Sequence, residues 1–118
     1  MKIIDRLRED SIHISFEVFP PKTDEVFDKV IAAVDAMAGL NPAFISVTYG
    51  AGGGTSKNTA KIASHIKDDL HLLSLAHLTC ASSTKEEVRR VIDDLKAPGI
   101  ENILALRGDI PAGMAFPD

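Results

Sequence analysis

The chain has 118 residues and a formal net charge of −4, from 13 lysines and arginines against 17 aspartates and glutamates. This length suits one domain, and a composition that is 45% hydrophobic and 25% charged excludes an intrinsically disordered chain. The acidic balance argues against a nucleic-acid partner, and the lack of a long apolar run argues against a membrane span. A single cysteine and no signal-peptide core favour a cytoplasmic protein.

The first predicted unit is a strand followed by a helix. Residues from Ile12 to Phe19 alternate between apolar and polar side chains, which predicts a strand with its apolar residues on one face and Glu17 on the other. Pro20-Pro21 ends this strand, because proline cannot donate a hydrogen bond to a neighbouring strand. The helix that follows is predicted to begin after an N-cap at Thr23 and to reach a C-cap at Gly39.

The same alternation of strand and helix continues to residue 106. The further predicted elements are a strand over 43–49, a helix capped by Thr55 or Ser56 and reaching about Asp69, a strand over 72–79, a helix that begins with a Thr84–Glu87 capping box and stops at Pro98-Gly99, and a strand over 102–106. The order βαβαβαβ predicts an α/β protein with a parallel sheet and right-handed crossovers.

Polar residues recur near the carboxyl ends of the predicted strands, where parallel α/β folds place their chemistry. Glu17, Thr48, His77 and Arg107 are spaced about 30 residues apart, one in each unit, which predicts that they lie on one rim. The face of the first strand that carries Glu17 also carries a serine, whereas a flat doubly wound sheet would bury apolar residues on both faces. This pattern favours a barrel over an open sheet.

Each of these features has a simpler interpretation on single-residue evidence. Glu17 could face solvent on an edge strand, and His77 could be a hydrogen-bonded core histidine. The glycine run 52–54 could bind a phosphate or merely turn the chain, since it has neither the Walker lysine nor the dinucleotide-binding spacing. No metal site is predicted.

Four sequence blocks together resemble the methylenetetrahydrofolate reductase family, from about residue 8 to the end of the chain. They are Ser15-Phe16-Glu17-Val18-Phe19-Pro20-Pro21, Val47-Thr48-Tyr49-Gly50-Ala51, Ala76-His77-Leu78-Thr79-Cys80 and Leu106-Arg107-Gly108-Asp109. The resemblance implies a (β/α)₈ TIM barrel that carries FAD, of which residues 1–118 are the N-terminal half and an incomplete single domain. It also implies reduction of 5,10-methylenetetrahydrofolate to 5-methyltetrahydrofolate, with NADH or NADPH as electron donor in a ping-pong cycle. This activity belongs to one-carbon metabolism and methionine biosynthesis, and the full-length family members are commonly homo-oligomers.

The resemblance also implies residue roles. Glu17 falls on the glutamate that protonates the folate, and Asp109 falls on the catalytic aspartate beside the flavin, where it contacts the pterin. The positions that line the FAD are Thr48, Tyr49, Ala51, His77, Arg107, Gly108 and Asp109, and Thr48 is also a candidate contact of the nicotinamide. Val18, where an aromatic residue is common, and Pro98, within a segment that usually reads Ala-Gly, depart from the family pattern.

The proposed chemistry suits these residue types. Opening the five-membered ring of the methylene folate requires a proton on one nitrogen, and a carboxylic acid supplies it best when burial favours its neutral form. We therefore expect Glu17 to be buried at the barrel mouth. Asp109 should disfavour the anionic reduced flavin, and Arg107 suits a phosphate of the cofactor.

Two alternatives remain at this point. The chain could be a truncated, non-catalytic α/β binding domain that retains family motifs, or a different barrel enzyme that binds a substrate phosphate at residues 52–55. A complete barrel takes about 250 residues. We therefore expect unpaired edges at the first and last strands, and an isolated chain that is poorly soluble or molten and binds FAD weakly.

Overall fold

The computed structural model describes residues 1–49, 56–110 and 112–113 of the chain. Within these segments, none of the helices combines the length and apolar character that a membrane span needs. The elements in chain order are α1 (Ile3–Leu7), β1 (Ser15–Val18), a 3₁₀ turn (Asp24–Val26) leading into α2 (Phe27–Ala38), β2 (Phe44–Val47), α3 (Ser56–Ser64) continued by a π-helical turn (His65–Asp69), β3 (Ser74–Thr79), α4 (Lys85–Lys96) and β4 (Ile103–Leu106).

The four strands form one parallel sheet in the order β1-β2-β3-β4. Each strand therefore neighbours its successor in the sequence, without the reversal of strand order that marks a doubly wound sheet. The arrangement is that of part of a (β/α)₈ barrel, and it confirms both the βαβαβαβ order and the predicted fold class. Within the described segments β1 and β4 are the outer strands, as predicted.

The hydrophobic core lies between one face of the sheet and the helices. Ile45 and Val47 of β2 are fully buried on this face, and they belong to one apolar cluster with Val34 of α2, Ile62 of α3 and Leu95 of α4. Removing this apolar surface from water is the main favourable contribution to the sheet–helix packing. The packing holds the carboxyl ends of the strands in fixed relative positions.

The predicted strand from Ile12 to Phe19 is too long. Only Ser15–Val18 pairs with β2, and Ile12 and Ile14 are 93% and 62% exposed instead of lying on the buried face. An alternating pattern shows which face a strand would bury, but the strand extends only as far as continuous pairing with its neighbour, and before Ser15 that pairing is reduced to one hydrogen bond from the Ala43 amide to the Ile14 carbonyl over 2.8 Å.

The predicted caps at Thr23, Gly39 and Thr84 all lie at their predicted positions, but only Thr84 has the expected capping contacts. Thr23 precedes the 3₁₀ turn, and its side chain makes no capping hydrogen bond. Gly39 is the C-cap residue of α2 but has a right-handed φ of −62°, while Asn41 takes the left-handed conformation at φ 53°. Thr84 and Glu87 form the predicted capping box, with both reciprocal hydrogen bonds present.

The π-helical turn is attached to α2 through His65. Its Nε2 lies 2.6 Å from Oδ1 of Asp35, and its Nδ1 lies 2.7 Å from Oδ2 of Asp69. Burial acts to lower the pKa of His65, but the hydrogen bonds and charges of the two aspartates outweigh it and leave that pKa raised above 6.5. The pair of carboxylates therefore favours the imidazolium form, in which both ring nitrogens donate.

Candidate active site

The side chains of Glu17, Ser46 and His77 lie on the sheet face opposite the helices. In the parallel register Glu17 is paired with Ser46, and His77 follows Ala76, which is the partner of Val47. Val47 and Ala76 are fully buried in the core. Because successive side chains of a strand point to opposite faces, the three polar side chains share the other face.

Two of these polar groups approach the same oxygen of Glu17. The Ser46 hydroxyl donates a hydrogen bond to Oε1 of Glu17 over 3.3 Å, and Nε2 of His77 lies 3.5 Å from the same atom. The Glu17 side chain is 50% exposed and the His77 side chain 11% exposed. The expectation that Glu17 is buried is therefore wrong for the described strands, because β1 is an outer strand and no described element covers this face at its edge.

A cavity of about 430 Å³ lies at the carboxyl ends of β2, β3 and β4. Its lining includes six of the eight residues to which the resemblance gives a role, together with Thr79, Ala81, Ser82 and Leu106. The six are Thr48, Tyr49, His77, Arg107, Gly108 and Asp109. His77 joins this cavity to Glu17 through the contact just described.

Two larger cavities, of about 640 and 490 Å³, lie at the opposite end of the sheet. Most of their lining residues precede β1, β2 and β3, at the amino ends of the strands. Barrel enzymes carry their chemistry at the carboxyl ends, so volume alone does not identify the site. All three cavities contain charged and imidazole side chains, so the position at the carboxyl ends of the strands is what favours the smaller cavity.

The turn after β4 is held tightly against the end of β3. The backbone carbonyl of Arg107 accepts hydrogen bonds from the amides of Cys80, at 3.2 Å, and Ala81, at 2.8 Å. Gly108 has a φ of +83°, and a Cβ added there would lie 2.8 Å from Cβ of Thr79. Glycine is therefore required here by both the backbone conformation and the close approach.

The first turns of α3 connect to the ends of β1 and β2. The buried Thr59 hydroxyl donates to the carbonyl of Thr48 over 2.9 Å, and Nδ2 of Asn58 donates to the carbonyl of Pro21 over 3.1 Å. Sequence reasoning missed Asn58 and Thr59, because their importance depends on which face of α3 meets the strand ends.

Ser46 was also missed as a site residue. Its position two residues before Thr48, on the strand face predicted to carry the site, could have identified it. Ala51 and the glycine run 52–54, with the phosphate-binding alternative that rests on residues 52–55, lie outside the described residues.

The residues of the cavity fit the flavin cofactor that the resemblance implies. Arg107 supplies a guanidinium suited to a phosphate, and its Nε donates to the carbonyl of Gly108 over 3.0 Å, which orients the side chain. Thr48, Tyr49 and His77 supply hydroxyl and imidazole groups that can meet the polar edge of a flavin ring. The donor set therefore suits a ligand that is both aromatic and phosphorylated.

Comparison with known proteins gives consistent matches along the chain. A family model described as methylenetetrahydrofolate reductase matches residues 2–116. The 5,10-methylenetetrahydrofolate reductase of Escherichia coli (strain K12) is 41% identical over 110 residues, which cover 93% of this chain and 37% of that protein.

Plant proteins match almost the whole chain as well. A probable methylenetetrahydrofolate reductase (NADH) of Oryza sativa subsp. japonica is 38% identical over 117 residues, which cover 96% of this chain and 20% of that protein. Methylenetetrahydrofolate reductase (NADH) 1 of Arabidopsis thaliana is 34% identical, with the same coverage. The chain thus spans between one fifth and two fifths of the length of these relatives.

Proposed function

Because this chain belongs to the methylenetetrahydrofolate reductase family, we propose that it forms the first half of a (β/α)₈ barrel that reduces 5,10-methylenetetrahydrofolate to 5-methyltetrahydrofolate. The proposed activity is that of the complete barrel, since the chain spans 37% of the Escherichia coli relative. The observation that carries the proposal is the cavity at the carboxyl ends of β2, β3 and β4, which six of the predicted site residues line and which His77 connects to Glu17.

We assign this cavity to part of an FAD molecule. FAD supplies hydride transfer when bound, with NADH or NADPH as the electron donor. Arg107 would pair with a phosphate oxygen, and the absence of a side chain at Gly108 lets the turn lie close to β3 while it presents backbone groups to the cofactor. The turn keeps Arg107 and Asp109 at the cavity wall, because the Arg107 carbonyl accepts hydrogen bonds from the amides of the two residues that follow β3.

We assign Glu17 as the acid that protonates the folate. Its carboxyl group lies on the open face of the sheet beside His77, and half of the side chain is accessible to a substrate that lies over this face. Substrate bound there would displace water from the carboxyl group, which favours its neutral, proton-carrying form. The proton goes to a ring nitrogen of 5,10-methylenetetrahydrofolate, whose carbon–nitrogen bond then opens to give the electrophile that accepts hydride.

Asp109 would act mainly through its charge. It lines the same cavity as Arg107 and His77. A carboxylate at this wall raises the energy of further negative charge beside it and so favours release of hydride to the substrate. It is also placed to accept a hydrogen bond from a donor on the pterin ring.

The cofactor assignment is tested by FAD binding to the purified full-length protein. We expect flavin absorbance after reconstitution and oxidation of NADH or NADPH with a quinone acceptor. Arg107→Gln should weaken FAD binding about 10- to 100-fold, as loss of a charge-assisted hydrogen bond to a phosphate would. Arg89→Gln, which changes an exposed arginine of α4, is the matched control and should bind FAD like the wild type.

Two results would overturn the assignment. A folded wild-type protein that binds no flavin and oxidises no nicotinamide would support the alternative of a non-catalytic binding domain. Equal FAD affinity in Arg107→Gln and Arg89→Gln would show that Arg107 holds no phosphate of the cofactor.

A further inference from the structure

Ser46 is a buried hydroxyl in the middle of β2, on the face that carries the proposed chemistry. The residue is 6% exposed, and its register partner across the sheet is Glu17. A hydroxyl buried to this extent needs a hydrogen-bond partner, and Ser46 donates to Oε1 of Glu17. The distance of 3.3 Å is long for an O–H···O bond, as is common at active sites before substrate binds.

A second group points to the same oxygen. Nε2 of His77 lies 3.5 Å from Oε1 of Glu17, and His77 is itself almost fully buried. In the tautomer with hydrogen on Nε2, His77 is a second donor directed at Oε1. Both described polar contacts of the carboxyl group therefore fall on one of its two oxygens.

This asymmetry matters because a protonated carboxyl group has two different oxygens. One is a carbonyl oxygen that accepts hydrogen bonds, and the other carries the proton. We infer that Ser46 is a positioning residue which, by donating to Oε1, makes that atom the carbonyl oxygen of Glu17 and places the transferable proton on Oε2. The inference rests on the proposed acid role of Glu17, but the hydrogen bond itself can be tested independently of activity.

The independent test is infrared spectroscopy of the full-length protein. The C=O stretching band of protonated Glu17 is isolated from acid-minus-neutral difference spectra by subtracting the spectrum of the same protein carrying Glu17→Gln. A carbonyl group that loses a donor vibrates at higher wavenumber, so we expect an upward shift of this band in Ser46→Ala. Ser46→Cys should shift it in the same direction, since cysteine has the same side-chain shape but only a weak donor.

Two further variants distinguish positioning from mere support of the fold. Ser46→Thr retains the hydroxyl and should leave the band near its wild-type position. Ser74→Ala removes an equally buried serine from β3, on the opposite face of the sheet, and should not move the band.

Kinetics then connect the hydrogen bond to the reaction. In Ser46→Ala and Ser46→Cys we expect folate reduction to slow about 3- to 10-fold while flavin reduction by NADH or NADPH is unchanged, with recovery in Ser46→Thr. An unshifted band in both Ser46→Ala and Ser46→Cys, or equal slowing of both half-reactions, would overturn the inference. Wild-type protein that reduces no folate would instead refute the proposed function, and the infrared result would still decide whether Ser46 donates to Glu17.

Discussion

Replacing Gly108 with alanine tests the turn that joins the end of β4 to β3. The φ of +83° costs an alanine about 1–2 kcal/mol. The new Cβ would also lie 2.8 Å from Cβ of Thr79, an atom that no side-chain rotation can move, so the turn or β3 must shift. Such a backbone shift costs about 1–3 kcal/mol more. We therefore expect Gly108→Ala to lower the free energy of unfolding by about 2–5 kcal/mol.

Gly113→Ala is the matched control for this prediction. Gly113 has a φ of +84°, but no described atom lies within 4 Å of the corresponding Cβ, so only the conformational cost of about 1–2 kcal/mol applies. Urea unfolding of the full-length protein, followed by circular dichroism, measures both losses. Weaker FAD binding is expected only in Gly108→Ala, because the shift displaces Arg107 and Asp109. Equal destabilisation by the two variants would refute the close contact between Gly108 and Thr79.

Three further variants test local interactions. His65→Ala should cost about 1 kcal/mol of stability at pH 6. Because the pKa of His65 is raised in the folded state, this contribution is present below about pH 6.5 and is lost as the pH rises through the folded-state pKa. Thermal unfolding at about pH 9 should therefore show a smaller difference in stability between the variant and the wild type. An equal loss at both pH values would contradict the ion pairs with Asp35 and Asp69. Thr84→Ala should cost about 1 kcal/mol through loss of the capping box, whereas Thr23→Ala should cost little because Thr23 makes no side-chain cap. Equal losses of stability in Thr84→Ala and Thr23→Ala, measured by chemical denaturation, would refute this difference between the two caps.

The sequence predicts the order of elements well because each signal is local. The Thr84–Glu87 capping box needs only four residues of one helix, and it is present as predicted. The side of the sheet on which Glu17 lies follows from alternation within a single strand and agrees with its pairing with Ser46. Such features depend on residues close together in the sequence and not on contacts with distant parts of the chain.

Features that depend on distant partners were not predictable in the same way. Helix α1 has too few residues for a clear apolar period, and it is held by the burial of Ile3 and by a hydrogen bond from the Ile3 amide to Oδ1 of Asn102 over 2.9 Å. The role of Ser46 requires the register of β1 on β2, which the sequence of either strand alone does not determine. The exposure of Glu17 similarly depends on what covers the face of an outer strand.

Replacing Glu17 with glutamine shows whether Glu17 supplies the proton for folate reduction. Stopped-flow absorbance of the full-length protein separates flavin reduction by NADH or NADPH from the subsequent reduction of 5,10-methylenetetrahydrofolate. We expect Glu17→Gln to keep the first half-reaction and to slow the second by about 100-fold or more, as loss of a general acid does. Glu86→Gln, an exposed glutamate of α4, should change neither. Folate reduction at the wild-type rate in Glu17→Gln, or equal loss of both half-reactions, would contradict the acid role of Glu17.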